Sequence, residues 1–114
     1  MDFLTSELLG FEETLHWKSE LTKHESIWLD GRLTAGEHAA LVKQNHQLDP
    51  SSPLAKLIAE NVEQKIIASP LLKSFALIRK VHSILISRSE VGDGYGWHVD
   101  NPFSKYGRRD LSFT

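Results

Sequence analysis

Between Phe11 and His24 the apolar residues Phe11, Leu15, Trp17 and Leu21 recur at mostly helical spacing among charged neighbours. That pattern predicts an amphipathic helix with one face packed on a core. Asp30-Gly31 then breaks it as a turn signal, and Thr34 with Glu37 three residues on has capping-box spacing for a short helix. The stretch from Val42 to Leu48 suits either a helix or a strand and is taken as a strand. The clearest helix comes next: Ser51 or Ser52 can cap it, Pro53 suits its first turn, and Leu54, Leu57, Ile58, Val62 and Ile66 keep a helical period until Pro70 closes it.

Beyond Phe75 the chain is rich in Ile, Leu and Val without a helical face, so Val81 to Arg88 is expected to form a buried strand. Asp93-Gly94 is a hairpin signal that would return Tyr95 to Asp100 antiparallel to it. In such a strand Gly96, His98 and Asp100 would face one way and Tyr95, Trp97 and Val99 the other. Tyr95 and Trp97 could shape a substrate pocket, but burial tendencies favour the core for both. Asn101-Pro102 would end the strand as a turn, while Leu111 and Phe113, alternating with Ser112 and Thr114, suggest a half-buried strand just beginning. The expected class is α+β, incomplete at the C-terminus.

Composition narrows the partners more than the fold. With 114 residues this is one domain at most, and 40% apolar residues, 25% charged residues and a net charge of -2 are ordinary for a soluble globular chain. Arg79-Lys80 and Arg108-Arg109 are isolated basic pairs, so no stripe for a phosphate backbone exists and no nucleic-acid partner is expected. The first twenty residues, acidic from Asp2 onward, resemble neither a signal peptide nor a membrane span, and a cytoplasmic protein without a membrane partner is expected. The lack of cysteine removes disulfides, thiolate metal sites and cysteine nucleophiles.

The candidate chemistry lies in His98 and Asp100. An imidazole and a carboxylate converging from one strand face would supply two members of the facial triad that non-haem Fe(II) oxygenases use. His-x-Asp alone is a weak signal, but here it stands in "GYGWHVDNP", Gly94 to Pro102. Upstream lies "WLDGRLTAGEHAALVKQNHQL", Trp28 to Leu48, and downstream "RRDLSFT", Arg108 to Thr114. Together these segments resemble the PKHD-type hydroxylases, a branch of the prolyl 4-hydroxylase-like Fe(II)/2-oxoglutarate-dependent dioxygenases, from Trp28 to Thr114.

The resemblance implies a double-stranded β-helix, or jelly roll, with helices outside it. Residues 1–70 would form a mainly helical region carrying the family segment 28–48, and residues 71–114 the first strands of the core. It implies Fe(II) held by His98 and Asp100, 2-oxoglutarate as cosubstrate with ascorbate as a further candidate, Tyr95 near the cosubstrate, and Arg109 near a substrate of unknown identity. Two family parts find no counterpart: a distal histidine and the basic residue that anchors 2-oxoglutarate both fall later in the family. His16, His24, His38, His46 and His82 all precede the motif. Each is expected to be an exposed or hydrogen-bonded histidine. Many relatives read Arg-Tyr before the Gly-rich turn, where this chain has Arg88-Ser89.

The resulting expectation is the N-terminal portion of a hydroxylase, inactive alone. Two alternatives stand beside it: a non-catalytic remnant serving as an interaction module, self-associating through an exposed sheet edge, or a small α+β binding domain with an accidental His-x-Asp.

Overall fold

The structure, a computed structural model, describes residues 5–23 and 27–113. His24, at the end of the expected first helix, and Thr114, at the end of the expected last strand, lie outside them.

Helix α1 runs Phe11–Thr22. Glu12 and Glu13 in its first turn oppose the positive end of the helix dipole, and Glu13 also accepts from Lys65 Nζ at 3.0 Å. That ion pair ties α1 to helix α3, Pro53–Ala68. α3 starts where the sequence indicates: the Ala55 N–H donates to the Ser52 hydroxyl oxygen at 3.2 Å, and Pro53 fills the first turn without needing a donor. Its period of about four brings Ile58, Val62 and Ile66 onto one face, each no more than 9% exposed. Leu8, Leu9, Trp17, Leu21, Leu72, Ile78, Val81, Ile84 and Ile86 pack around them. Burying each such side chain is worth about 1.5–3 kcal/mol, so this cluster is the main cohesive element. Pro70 does end α3, yet it also opens helix α4, Pro70–Ala76, which the sequence reading missed. Ser69 turns the corner, its hydroxyl accepting from the Leu72 N–H at 3.3 Å.

The segment 28–48 folds into strand β1 (Trp28–Asp30), a 3₁₀ turn (Gly31–Thr34), the short helix α2 (Glu37–Ala40), and strands β2 (Lys43–Gln44) and β3 (His46–Leu48). Asp30 shapes the turn by accepting from the Arg32 backbone and side chain, and that guanidinium holds its carboxyl down to about 2. Gly31 is buried, donates its N–H to the Asn45 carbonyl at 2.9 Å, and has the Asn45 side chain where a Cβ would stand. The close approach at Gly31 therefore fastens one end of the segment to the other. Thr34 does not cap α2; Gly36 occupies that position, and the Thr34 hydroxyl is bonded to Gln47 Oε1 instead.

Strand β4 is Ser87–Arg88, β5 is Gly94–Tyr95, β6 is Phe103–Ser104 and β7 is Gly107–Arg108. They make an antiparallel sheet ordered β1-β3-β4, a β2-β5 pair and a β6-β7 hairpin. The expected single strand over 42–48 is thus broken at Asn45, its halves serving different sheets. The expected buried strand over 81–88 forms a ladder only at Ser87–Arg88, although Ile84 and Ile86 do lie against α3. Nor does 95–100 return on 81–88. Glu90 and Asp93 bond to one another in a tight turn, with Gly92 at φ +92°, and β5 pairs with β2 rather than with β4. Leu111 and Phe113 are exposed and in no strand.

The class is α+β. Three strands lie within the region 1–70 that was expected to be mainly helical, and the described strands form three small sheets rather than a closed jelly roll. Among the described residues no helix is long and apolar enough to cross a membrane.

Candidate functional site around His98 and Asp100

The site hangs from the β2–β5 pair. Lys43 opposes Tyr95, Gln44 opposes Gly94, and the Gly96 N–H donates to the Val42 carbonyl at 2.7 Å. A Cβ on Gly96 would stand 2.8 Å from the Val42 Cβ, closer than carbon atoms tolerate, so glycine is what lets the two backbones meet. Val42 takes the room that this glycine leaves.

From Gly96 to Pro102 the chain is in no ladder, and the alternation expected for 95–100 does not hold. His98 folds back instead. Its Nδ1 donates to the Gly96 carbonyl at 2.8 Å, and its ring lies on that of Tyr95, centroids 3.7 Å apart and planes 11° apart. Tyr95 and His98, expected on opposite faces, are stacking partners. Burial, and then the Asp100 carboxylate, push the Tyr95 phenol above its ordinary range. Trp97, expected in the core, is 101% exposed, and Val99 is 90% exposed. Among the described residues no strand pairs behind them and none covers that side.

The chemistry concentrates at the other ring nitrogen. A carbonyl can only accept, so Nδ1 carries a proton and Nε2 is the nitrogen left free in the neutral ring. Nε2 lies 3.3 Å from Asp100 Oδ1. Two bare lone pairs at that distance repel, so the contact is satisfied either by a proton on Nε2, giving an ion pair, or by a cation held between both atoms. An imidazole nitrogen and a carboxylate oxygen are both donors that a divalent metal would accept. The donor pair fits a metal at two positions. Among the described residues no group of three His, Cys, Asp or Glu converges.

Tyr95, His98, Asp100 and Arg109 all line one open depression of about 600 Å³, along with Val99 and Leu111 and with Glu37 and His38 from α2. The Arg109 N–H donates to the Pro102 carbonyl at 2.6 Å, while Asp110 pairs with Arg108 at 2.6 Å. Asn101-Pro102 makes the expected turn, the Asn101 side chain accepting from the Phe103 N–H at 3.0 Å. His82 Nδ1 lies 3.4 Å from the Ser104 hydroxyl, and the His16 ring lies beside Trp17. One contributor was missed: Lys43, whose ammonium sits 4.9 Å from the Tyr95 ring centre and whose charge burial disfavours. Only the pairing of Lys43 with Tyr95 reveals it, and no local sequence signal carries that pairing.

No family model and no solved structure matches the chain. Curated proteins match all 114 residues: the chain is 87% identical to a PKHD-type hydroxylase of Synechococcus sp. (strain CC9902), 54% to one of Synechococcus sp. (strain CC9605), and 46% to one of Prochlorococcus marinus (strain AS9601). It spans about half the length of these relatives, 51%, 51% and 52%.

Proposed function

The chain is similar over its whole length to the N-terminal portion of PKHD-type hydroxylases, and we propose that it carries one part of an iron- and 2-oxoglutarate-dependent hydroxylase centre in which His98 and Asp100 are metal ligands. The supporting observation is the 3.3 Å approach of His98 Nε2 to Asp100 Oδ1 with Nδ1 tied to the Gly96 carbonyl. When bound, Fe(II) in such a centre would use O2 to couple oxidative decarboxylation of 2-oxoglutarate to succinate and CO2 with hydroxylation of a substrate C–H bond, one oxygen atom going to each product.

The chain's own residues prepare the site. The Gly96 carbonyl selects the tautomer that leaves Nε2 open, the Tyr95 ring fixes the imidazole plane, and the Asp100 carboxylate supplies charge against a cation. Tyr95 stands near the cosubstrate in this reading, and Arg109, lining the same depression, near the substrate. No histidine follows His98 in the sequence. Two protein donors hold a divalent ion loosely, so the chain by itself binds Fe(II) weakly and forms no succinate.

Anaerobic calorimetric titration with Fe(II) tests this. Weak binding that is abolished by His98→Ala and by Asp100→Asn is expected. Binding unchanged in both variants, or tight binding with 2-oxoglutarate turnover by the 114-residue chain, would overturn it.

A further inference from the structure

We infer that the cavity between α3, α4 and the chain just after α4 is a binding site for a small phosphate monoester with a hydroxylated carbon body. The site shares no lining residue with the depression around His98 and Asp100. It needs no metal, and the inference stands independently of the hydroxylase reading.

Arg79-Lys80 is an isolated basic pair along the sequence, and the fold ends that isolation. Leu77 closes α4 in the left-handed region, at φ 49° and ψ 47°, with its N–H donating to the Lys73 carbonyl at 3.2 Å. That conformation is uncommon for any residue with a side chain, and the Leu77 side chain is exposed, so packing does not account for it. The reversal it makes brings Arg79 and Lys80 back beside Lys73, and all three line one cavity of about 230 Å³. Glu63 of α3 lines it too, with Ile67 and Ile78 as apolar walls.

Among the described residues none of the three cations makes an ion pair, and neither does Glu63. Lys80 has the Tyr106 ring centre 5.8 Å from its ammonium. Three like charges around one hollow repel each other, and a bound anion relieves that repulsion. With one carboxylate beside them they leave two positive charges in excess, and a phosphate monoester carries about two negative ones at neutral pH. The planar fork of Arg79 matches phosphate oxygens, while the two ammonium groups act as point charges.

Glu63 selects the rest of the ligand. A carboxylate only accepts, so it calls for a donor on the carbon body; an ammonium there would meet three cations, which leaves a hydroxyl. The cavity is smaller than the pockets of roughly 300–1,000 Å³ that take drug-sized molecules, so a body of a few carbons fits.

The probe is glycerol 3-phosphate, titrated into the isotope-labelled 114-residue chain and followed by proton–nitrogen NMR, with inorganic phosphate and succinate compared at the same ionic strength. Saturable shifts are expected at the amides of Lys73 and residues 77–81, with succinate and inorganic phosphate each about tenfold weaker. Arg79→Gln and Lys73→Gln, both at exposed positions, should each weaken glycerol 3-phosphate about tenfold while the circular dichroism stays that of the parent. Glu63→Gln should tighten inorganic phosphate and so narrow the preference for the ester. The His98→Ala variant should bind the probe as the parent does, which separates this site from the metal pair. Shifts that fail to saturate and spread to the exposed Lys18 and Lys56, or an affinity unchanged by Arg79→Gln, would overturn the inference. Succinate binding as tightly as the ester would overturn the phosphate assignment.

Discussion

Ile58 on α3 and Trp97 beside the donor pair are both large apolar residues, yet one is 5% exposed and the other 101%. The difference extends over whole regions. Around α3 the apolar stripe meets α1, α4 and the run Ile78 to Ile86. From Val91 to Phe113 every large apolar side chain is exposed. Local contacts let the first region assemble its core from neighbouring elements, whereas the second offers strands of two residues that need further strands beside them. Cohesion and chemistry are thus carried by different parts of the chain.

The strongest test of that division is a pair of truncations. Ile58→Ala should cost about 2–5 kcal/mol and leave the chain largely unfolded, whereas Trp97→Ala should change stability by no more than about 0.5 kcal/mol. Urea denaturation compares them; equal costs would erase the distinction. At the joint between the regions, Gly96→Ala should cost about 1–3 kcal/mol through overpacking against Val42. It should also release the Gly96 amide from protection against hydrogen exchange and free the His98 ring. An unshifted Gly96 amide would show that the Val42 contact does not hold the site.

Smaller effects sharpen the cohesive half. Ser52→Ala removes the α3 cap and should cost about 1 kcal/mol, read as a lower denaturation midpoint. The Glu13 carboxyl is held below its ordinary range chiefly by the Lys65 hydrogen bond. The unfolded chain therefore takes up that proton more readily, and the stability Glu13 contributes is complete above the ordinary carboxylate range and lost as pH falls through the lowered folded value. Lys65→Met should flatten stability against pH in that window, and an unchanged slope would disprove the link between α1 and α3.

The cohesive half was legible in sequence because its signals are local. Ser52, Pro53 and the period through Ile66 fix α3 within one stretch of chain, as the spacing of Phe11 to Leu21 does for α1. The lining of the depression was legible as residues but not as geometry. His98, Asp100, Tyr95 and Arg109 were all named, and they do share one depression. Their arrangement was misjudged because it depends on a long-range choice: β5 pairs with Lys43–Gln44, which no turn or periodicity announces, and the ladder ends after Tyr95. Strand alternation therefore put Tyr95 opposite His98 and Trp97 in the core. Ser69, capping a second helix directly after the first, was overlooked because Pro70 is equally a stop and a start.

The most direct test of the donor pair is a long-range proton–nitrogen correlation spectrum of the histidine rings of the 114-residue chain, recorded with and without Zn(II). His98 should carry its proton on Nδ1 in the neutral ring, and Zn(II) should move the Nε2 resonance of His98, with Asp100→Asn weakening the response. A proton on Nε2 of the neutral ring, or a Zn(II) response confined to His38, His46 or His82, would contradict the assignment of His98 and Asp100 as a metal-holding pair.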